Sequence, residues 1–506
     1  MARQPTTPWP TTPGSVFFGD VASDATLSRA TRDGRIRRLV RGLYSADLRS
    51  DPTELVVRNR WSIVARLVPD AVIADRSAAE GGMPVGGVLT IISNERTEDV
   101  TLPGLIVAPR AGPGPLEDDN TWPEGLHLTS DARTLVDNLA ISRGRAGRPA
   151  RTLARDELED WVVRTAQRRP DSWLETLRPR ALELCDHLGV PDRRDAVADI
   201  IGAVAGTREA RAAGGRLLAA RAAGLEYDPD RITRFDELAT HLAELPATLE
   251  VPEHLPALAD EPSTSLPFFE AYFSNFIEGT EFSIDEAEEI VRSGKIPEDR
   301  PEDAHDVIGT FEAVHAPGLR AATPATVEEL FELLERRHRL VMGGRPDKRP
   351  GRFKEMPNQA GSYVFVAPRL VEGTLTEGFK RLADLLPGFA RAVFELFLVS
   401  EVHPYDDGNG RVARAAMGAE LTAVEQARIM IPIVFRNEYQ TALRALSREG
   451  RCDLFVKTLA YAWRWTSAMP WQDRATVDGQ LLATNALTDS TDAEREGVRL
   501  ELPCVL

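Results

Sequence analysis

Two helix-forming runs meet at one short polar joint, and that joint restricts what this chain can fold into more than any other feature. Residues 393–401 form an apolar helical run. Ala415, Ala416, Met417, Ala419, Glu420 and Leu421 are strong helix formers. Between them lies His403-Pro404-Tyr405-Asp406-Asp407-Gly408-Asn409-Gly410-Arg411-Val412-Ala413-Arg414. The pattern predicts a helix–loop–helix joint in which the Gly/Asn cluster opens the second helix.

Such a joint is an anion site. Backbone N–H groups at a helix N-terminus are unpaired, and the helix dipole favours negative charge there. Gly408 and Gly410 lack Cβ, so a phosphate can approach the backbone closely. Asn409 can add its amide or adopt a positive φ. Arg411 and Arg414 stand at i and i+3 on one helical face, and arginine can grip phosphate bidentately. Asp407 is placed to hold Mg²⁺, which takes a carboxylate together with phosphate oxygens and water. His403 titrates near neutrality and suits the role of general base for a hydroxyl nucleophile. A Gly-Asn-Gly turn alone would carry no weight. The full string has a chance occurrence on the order of 10⁻⁷ at average residue usage, so an incidental loop is set aside.

These residues resemble the signature of the Fic (filamentation induced by cAMP) family, His-x-Phe-x-Asp/Glu-Gly-Asn-Gly-Arg-x-x-Arg, with Tyr405 at the phenylalanine position. The aromatic is expected beneath the loop, and its hydroxyl then needs a partner. The resemblance implies a protein adenylyltransferase that moves AMP from ATP to a protein Ser, Thr or Tyr, releasing pyrophosphate. It implies His403 as base, Asp407 as Mg²⁺ ligand, and Gly408, Asn409 and Gly410 as the anion hole. Arg411 would contact phosphate and Arg414 the γ-phosphate. A phosphate-transferring branch of the family lacks the full arginine pattern, so AMP transfer is favoured. UMP and phosphocholine transfer, which use nearly the same loop, stay open, as do self-modification and a homodimer.

Two further strings support the resemblance. Gly351-Arg352-Phe353-Lys354 followed by residues 358–368 is similar to the family's flap, with Tyr363, Val364, Phe365 and Val366 as a β-arm for the target. An exposed strand edge can align such a segment by main-chain pairing. Asn437-Glu438-Tyr439 resembles a segment near the adenine pocket. Ser274-Asn275-Phe276-Ile277-Glu278-Gly279 resembles the family's inhibitory motif, in which the Glu pairs with the second motif arginine. Ser274 and Glu278 share one helical face, and Gly279 is a natural C′ residue. Glu278 on Arg414 would occupy the donors that the γ-phosphate needs. A lesser alternative is that Glu278 positions water for removing AMP.

The remaining chain divides by composition. Residues 1–14 are Thr/Pro-rich, with no apolar run that would make a signal peptide, and are expected to be disordered. Residues 15–60 are a compact segment in which the stretch 29–41 holds Arg29, Arg32, Arg35, Arg37, Arg38 and Arg41 against one acid, Asp33, with a turn at Asp33-Gly34. A helix ending near Arg32, then a short hairpin around Gly42, reads as a winged helix-turn-helix facing DNA phosphates. With residues 73–79 and 129–137, this segment resembles the abortive-infection type IV antitoxin regulators. The fold class expected is therefore multidomain. It has an α+β N-terminal half with a winged helix-turn-helix over 15–60 and an antitoxin-like domain over 61–245. A proline-rich linker follows at 246–267, then a mainly α-helical Fic domain over 268–470, and a small appendage over 471–506 ending in an edge strand. The competing function is a DNA-binding regulator in which the Fic half senses nucleotide.

Composition bounds the setting. The 506 residues carry 61 basic and 78 acidic side chains, a net charge of −17. Such a chain as a whole is poorly suited to neutralising phosphates, which confines any DNA contact to a local patch. Only five of the basic residues are lysine, and the arginine-rich, Ala/Gly-rich usage suggests a GC-rich bacterial source. Cys185, Cys452 and Cys504 are too few and too distant for a disulfide framework or a zinc site, so a reducing cytoplasm is expected. No apolar stretch approaches the ~18 residues of a membrane span.

Overall fold

The computed structural model describes residues 8–144, 148–170, 172–207, 214–245, 265–361 and 363–503. The chain forms two compact units, Met1–Gly224 and Leu225–Leu506.

In the first unit a three-stranded sheet joins Phe17–Phe18, Leu43–Ser45 and Arg37–Val40, with Leu43–Ser45 in the middle. Helix Asp24–Arg32 begins at Ser23, whose hydroxyl accepts from Thr26 N, and ends at Arg32 as expected. Gly34 then turns the chain with φ +67°. The hairpin is therefore present. The expected span 15–60 holds two α-helices, Asp24–Arg32 and Pro52–Arg58, but the hairpin lies between them where a helix-turn-helix has a short turn. Trp9 is buried and stacks on Phe17 at 5.8 Å, so the described part of the leader is anchored by an aromatic side chain rather than free.

Beyond this lies a six-stranded sheet centred on Val88–Ile92, which runs parallel to Leu105–Arg110 and antiparallel to Val72–Ile73. Val88–Ile92 is buried at every position, as a strand covered on both faces must be. The fold brings together the two strings noted at 73–79 and 129–137. Asp75 and Asp137 both meet Arg110, at 2.8 and 3.0 Å. Four described helices from Arg155 to Ala222 complete the unit.

The second unit is mainly helical. At its centre Phe389–Val402 and Asn409–Thr422 pack against each other along their lengths, and nearly every residue of both is buried. Helices Leu266–Ile277, Pro301–His315 and Val327–Val341 contact Asn409–Thr422. Helix Val327–Val341 starts at Thr326, which accepts from Glu329 N. Glu329 in turn accepts from Ala325 N rather than from Thr326, so the reciprocal half of the expected capping box falls one residue early.

Two boundaries differ from expectation. The division between units falls at residue 224, ahead of the proline-rich stretch, of which 246–264 lie outside the described residues. Helix Pro229–Ala243 belongs to the second unit because Phe235 packs 5.9 Å from both Phe394 and Phe397. Prolines mark a break in secondary structure, whereas contacts between apolar faces decide the packing unit. Helix Leu266–Ile277 also starts inside the expected linker, with Pro267 in its first turn, where its missing N–H costs nothing.

The second boundary is the C-terminal segment, which is no appendage. Helices Arg474–Ala483 and Ser490–Glu496 pack into the core, and residues 498–503 form no strand. Trp471, Val477, Leu481, Ala493 and Leu500 share one apolar cluster with Phe269, Phe273 and Trp465. Trp471 lies 5.7 Å from Phe269 and 6.0 Å from Trp465. Polar composition hid this, because a few apolar side chains at helical spacing carry the contact. Trp471→Ala is expected to destabilise the second unit by about 3–5 kcal/mol, the range for truncating a buried Trp. Urea unfolding of the full chain measures it. A loss under about 1 kcal/mol would return the segment to the status of an appendage.

Candidate active site

The helix Phe389–Val402 stops because Pro404 disfavours helical backbone at His403. His403 takes the left-handed conformation, φ 52° and ψ 59°, as the C-cap, an unusual state for a residue other than glycine. Lys354 stabilises it. Its ammonium donates to His403 O at 2.7 Å and Val402 O at 3.3 Å, capping the carbonyl end of the helix, and to Asn358 Oδ1 at 2.7 Å. Burial pushes the Lys354 ammonium down to about 7. The His403 ring stacks on Phe365 at 3.8 Å. Its Nδ1 lies 3.2 Å from Ser400 O, a pure acceptor, which assigns the proton to Nδ1 and leaves Nε2 as the acceptor. Burial pushes the His403 imidazole down to about 4, so the ring is neutral at physiological pH.

The joint itself is closed by Asn409. Its Oδ1 accepts from Tyr405 N at 2.8 Å and its Nδ2 donates to Tyr405 O at 2.9 Å. The amide is thus committed to the loop and does not extend into the cavity, and the positive φ belongs to Gly408 at +72°. Tyr405 lies buried beneath the loop as expected, stacked on His338 at 3.7 Å. Among the described residues no group bonds its hydroxyl, so the expected partner is not there. His338, which the sequence reading passed over, supports the loop from below. Its Nδ1 accepts from Gly351 N at 2.8 Å, and its Nε2 meets Asp407 O at 3.1 Å.

The two arginines have different surroundings. Arg411 is buried against Asp306 of helix Pro301–His315, at 2.6 Å, and Asp306 also pairs with Arg345 at 2.8 Å. Arg411 does not line the cavity described below. Arg414 donates through Nε to Ser274 Oγ at 2.9 Å and through Nη2 to Ser274 O at 2.8 Å and Glu278 Oε1 at 2.6 Å. Glu278 is the C-cap of helix Leu266–Ile277, and Gly279 follows at φ +91°, the C′ position expected. Burial alone would push Glu278 up, but the Arg414 charge and hydrogen bond outweigh it and hold the carboxyl below its ordinary range. Gly410 makes the pair possible, because a Cβ there would lie 2.1 Å from Glu278 Oε1. Buried Tyr439 lines the same cavity wall as Arg414 and Ser400.

These side chains surround a cavity of about 620 Å³. His403, Glu278, Gly410, Arg414, Phe365 and Tyr439 line it. Asp407 stands at the loop with its side chain half exposed and its Oδ1 accepting from Gly408 N at 2.7 Å. Among the described residues no cluster of three metal-ligating side chains exists. A single accessible carboxylate fits Mg²⁺, whose other ligands are phosphate oxygens and water. The flap is a short hairpin in which Gln359–Ala360 pairs antiparallel with Tyr363–Val364. Val364 is exposed, Tyr363 is half-buried, and Phe365 leaves the strand to cover His403.

Residues 328–421 match the Fic/DOC family. The matched segment holds the flap, both central helices and the joint, and omits Ser274 and Glu278. The chain is similar to protein adenylyltransferase fic-1 of Caenorhabditis briggsae, 25% identical over 198 residues, which are 38% of this chain and 39% of that protein. It is also similar to protein adenylyltransferase Fic of Nematostella vectensis, 24% identical over 244 residues, 46% of this chain and 54% of that one. The chain therefore spans about two fifths to half of the curated relatives it matches. A solved structure of Fic-1 residues 134–508 from C. elegans aligns at 19% identity with a TM-score of 0.35, covering 64% of this chain and 92% of that one. Among the described residues, no helix is long and apolar enough to cross a membrane.

The histidine environment gives a testable value. A buried neutral His403 binds no proton between an unfolded-state pKa near 6.5 and its own near 4. Acidification through that window favours the unfolded state, and the penalty vanishes above about pH 6.5. The His403 ring should titrate near 4 by imidazole NMR of the full chain, assigned by comparison with His403→Phe. A midpoint near 6.5 would contradict the buried geometry.

Proposed function

We propose that the second unit is a protein adenylyltransferase, moving AMP from ATP to a Ser, Thr or Tyr hydroxyl of a protein, and that Glu278 inhibits it. The observation that carries this reading is the convergence of the His403 ring, the N-terminus of the motif helix and the Arg414 guanidinium on one cavity. The Fic/DOC match at 328–421 supports it.

The chemistry follows from the placement. The neutral His403 accepts the hydroxyl proton at Nε2 as the hydroxyl oxygen attacks the α-phosphorus. A new P–O bond forms to the target, and the bond to the leaving pyrophosphate breaks. Unpaired N–H groups at the start of helix Asn409–Thr422 stabilise charge developing on the phosphate. Mg²⁺ held by Asp407 would offset charge on the leaving phosphates. Incoming phosphate charge raises the imidazole pKa from its low resting value, which strengthens the base when substrate is bound.

Glu278 opposes this arrangement. Its carboxylate occupies Arg414 Nη2 at 2.6 Å, and it lies where a γ-phosphate would need that donor. Glu278→Gly is expected to raise transfer of label from α-³²P-ATP by on the order of tenfold to a hundredfold, matching a charged contact worth about 1.5–3 kcal/mol. His403→Ala in that background should abolish the label. Equal labelling by the parent and Glu278→Gly chains would refute the brake.

The arginine patch favours a second, compatible reading for the first unit. Arg29, Arg32, Arg38 and Arg41 are exposed, and none has a carboxylate partner among the described residues. A phosphate backbone would complement them. Binding of the full chain to a duplex of its own promoter should weaken steeply with salt, and Arg38→Ala with Arg41→Ala should reduce the slope by about two. A slope unchanged by the double variant would remove this reading.

A further inference from the structure

Helix Pro229–Ala243 lies well ahead of the family match, yet one of its side chains reaches the flap. Asp228 caps this helix, accepting from Asp230 N at 3.0 Å, and its own N–H donates to Thr374 Oγ1 at 3.0 Å. Arg231 therefore projects from a fixed first turn. Its Nη2 donates to Val364 O at 2.8 Å, and its Nε lies 3.0 Å from Glu401 Oε1. Its guanidinium stacks over the Tyr363 ring, 4.8 Å from the centroid. Glu401 is buried in the cavity wall, where it also accepts from the Tyr363 hydroxyl and from Ser447 Oγ.

The register gives these contacts a direction. Phe365 N donates to Asn358 O at 3.1 Å, which makes 358 and 365 a hydrogen-bonded pair. Such pairs alternate in antiparallel strands, so Gln359 and Val364 form the non-bonded pair next to it. Their N–H and C=O groups point away from the hairpin, one set to each outer edge. Arg231 occupies the carbonyl on the Val364 edge. The Gln359 edge is exposed and carries no hydrogen bond from any described residue beyond the hairpin. The adjoining Ala360 and Gly361 line the cavity that contains His403.

We propose that Arg231 is a positioning residue that fastens the flap and caps the carbonyl on its Val364 edge, which leaves the Gln359 edge for the target segment that the family resemblance already places on the flap. This rests on the adenylyltransferase reading above. A strand on that edge continues the hairpin past the cavity mouth, where main-chain bonds give affinity without demanding a particular sequence. The fastening needs the planar guanidinium, because one group must cap a carbonyl, meet a carboxylate and stack on a ring together. A lysine ammonium can meet only part of that set.

The test uses the full chain carrying Glu278→Gly, α-³²P-ATP and arrayed peptides that each contain one Ser, Thr or Tyr. Arg231→Ala should raise the peptide KM about tenfold, as expected for losing one charge-assisted bond, with the KM for ATP unchanged and Arg231→Lys intermediate. Gln359→Pro removes the outward N–H while sparing the Phe365–Asn358 bond, and should abolish peptide labelling. Hydrogen exchange of the same chains should show faster exchange at Phe365 N–H in Arg231→Ala, with the motif helix unchanged. An unchanged peptide KM or an unchanged flap exchange would overturn the proposal, as would labelling that survives Gln359→Pro and is lost in Val364→Pro. If no peptide is labelled by the Glu278→Gly chain but flap exchange still rises, the adenylyltransferase reading fails and the fastening stands.

Discussion

The two bonds from the Asn409 amide to the Tyr405 backbone hold the site together. They close a four-residue span between two buried helices, and everything chemical in the molecule is arranged about that closure. The closure fixes where helix Asn409–Thr422 begins and so where its unpaired N–H groups point. It also presses Tyr405 onto His338, which ties the loop to Gly351 and the start of the flap. On the other flank Lys354 caps the preceding helix and bonds Asn358, whose amide reaches Tyr405 O at 2.9 Å. The histidine is thus held by a capped helix end, a closed loop and a stacked ring, all of them already paired.

Charge is handled with the same economy. A guanidinium buried without a partner would be costly, and both motif arginines are matched by carboxylates from other helices. The two matches differ in consequence. Asp306 is shared between Arg411 and Arg345 away from the cavity, so that contact is structural. Glu278 meets Arg414 on the cavity wall, so displacing it exposes a cation to whatever enters.

Much of this site was legible in the sequence because it is local. The string 403–414 places its residues by helix geometry alone, and Ser274 and Glu278 are one turn apart on the face that meets Arg414. What escaped was contributed from a distance. His338, Asp306 and Arg231 lie about 70 to 170 residues from the joint, and nothing in their own neighbourhoods marks them. Asn409 is legible, but neither expected use of it, an amide for the ligand or a positive φ, is what it does; its amide closes the backbone of the loop and Gly408 takes the positive φ. Domain limits failed where composition stood in for packing. Prolines at 246–267 drew the boundary too late, and the polar tail concealed the apolar contacts of Trp471.

Gly410 sets a limit on how the proposed brake could be lost. The missing Cβ leaves a volume that the Glu278 carboxylate fills, and on the proposed reading a phosphate group would take the same place. A side chain at 410 would exclude both occupants together, so changing that residue cannot trade inhibition for activity. If the proposed brake holds, a single substitution that releases it is to be sought in the helix that delivers the Glu278 carboxylate. Glu278 and the motif are encoded about 130 residues apart, so on that reading the restraint could be lost without damage to the loop.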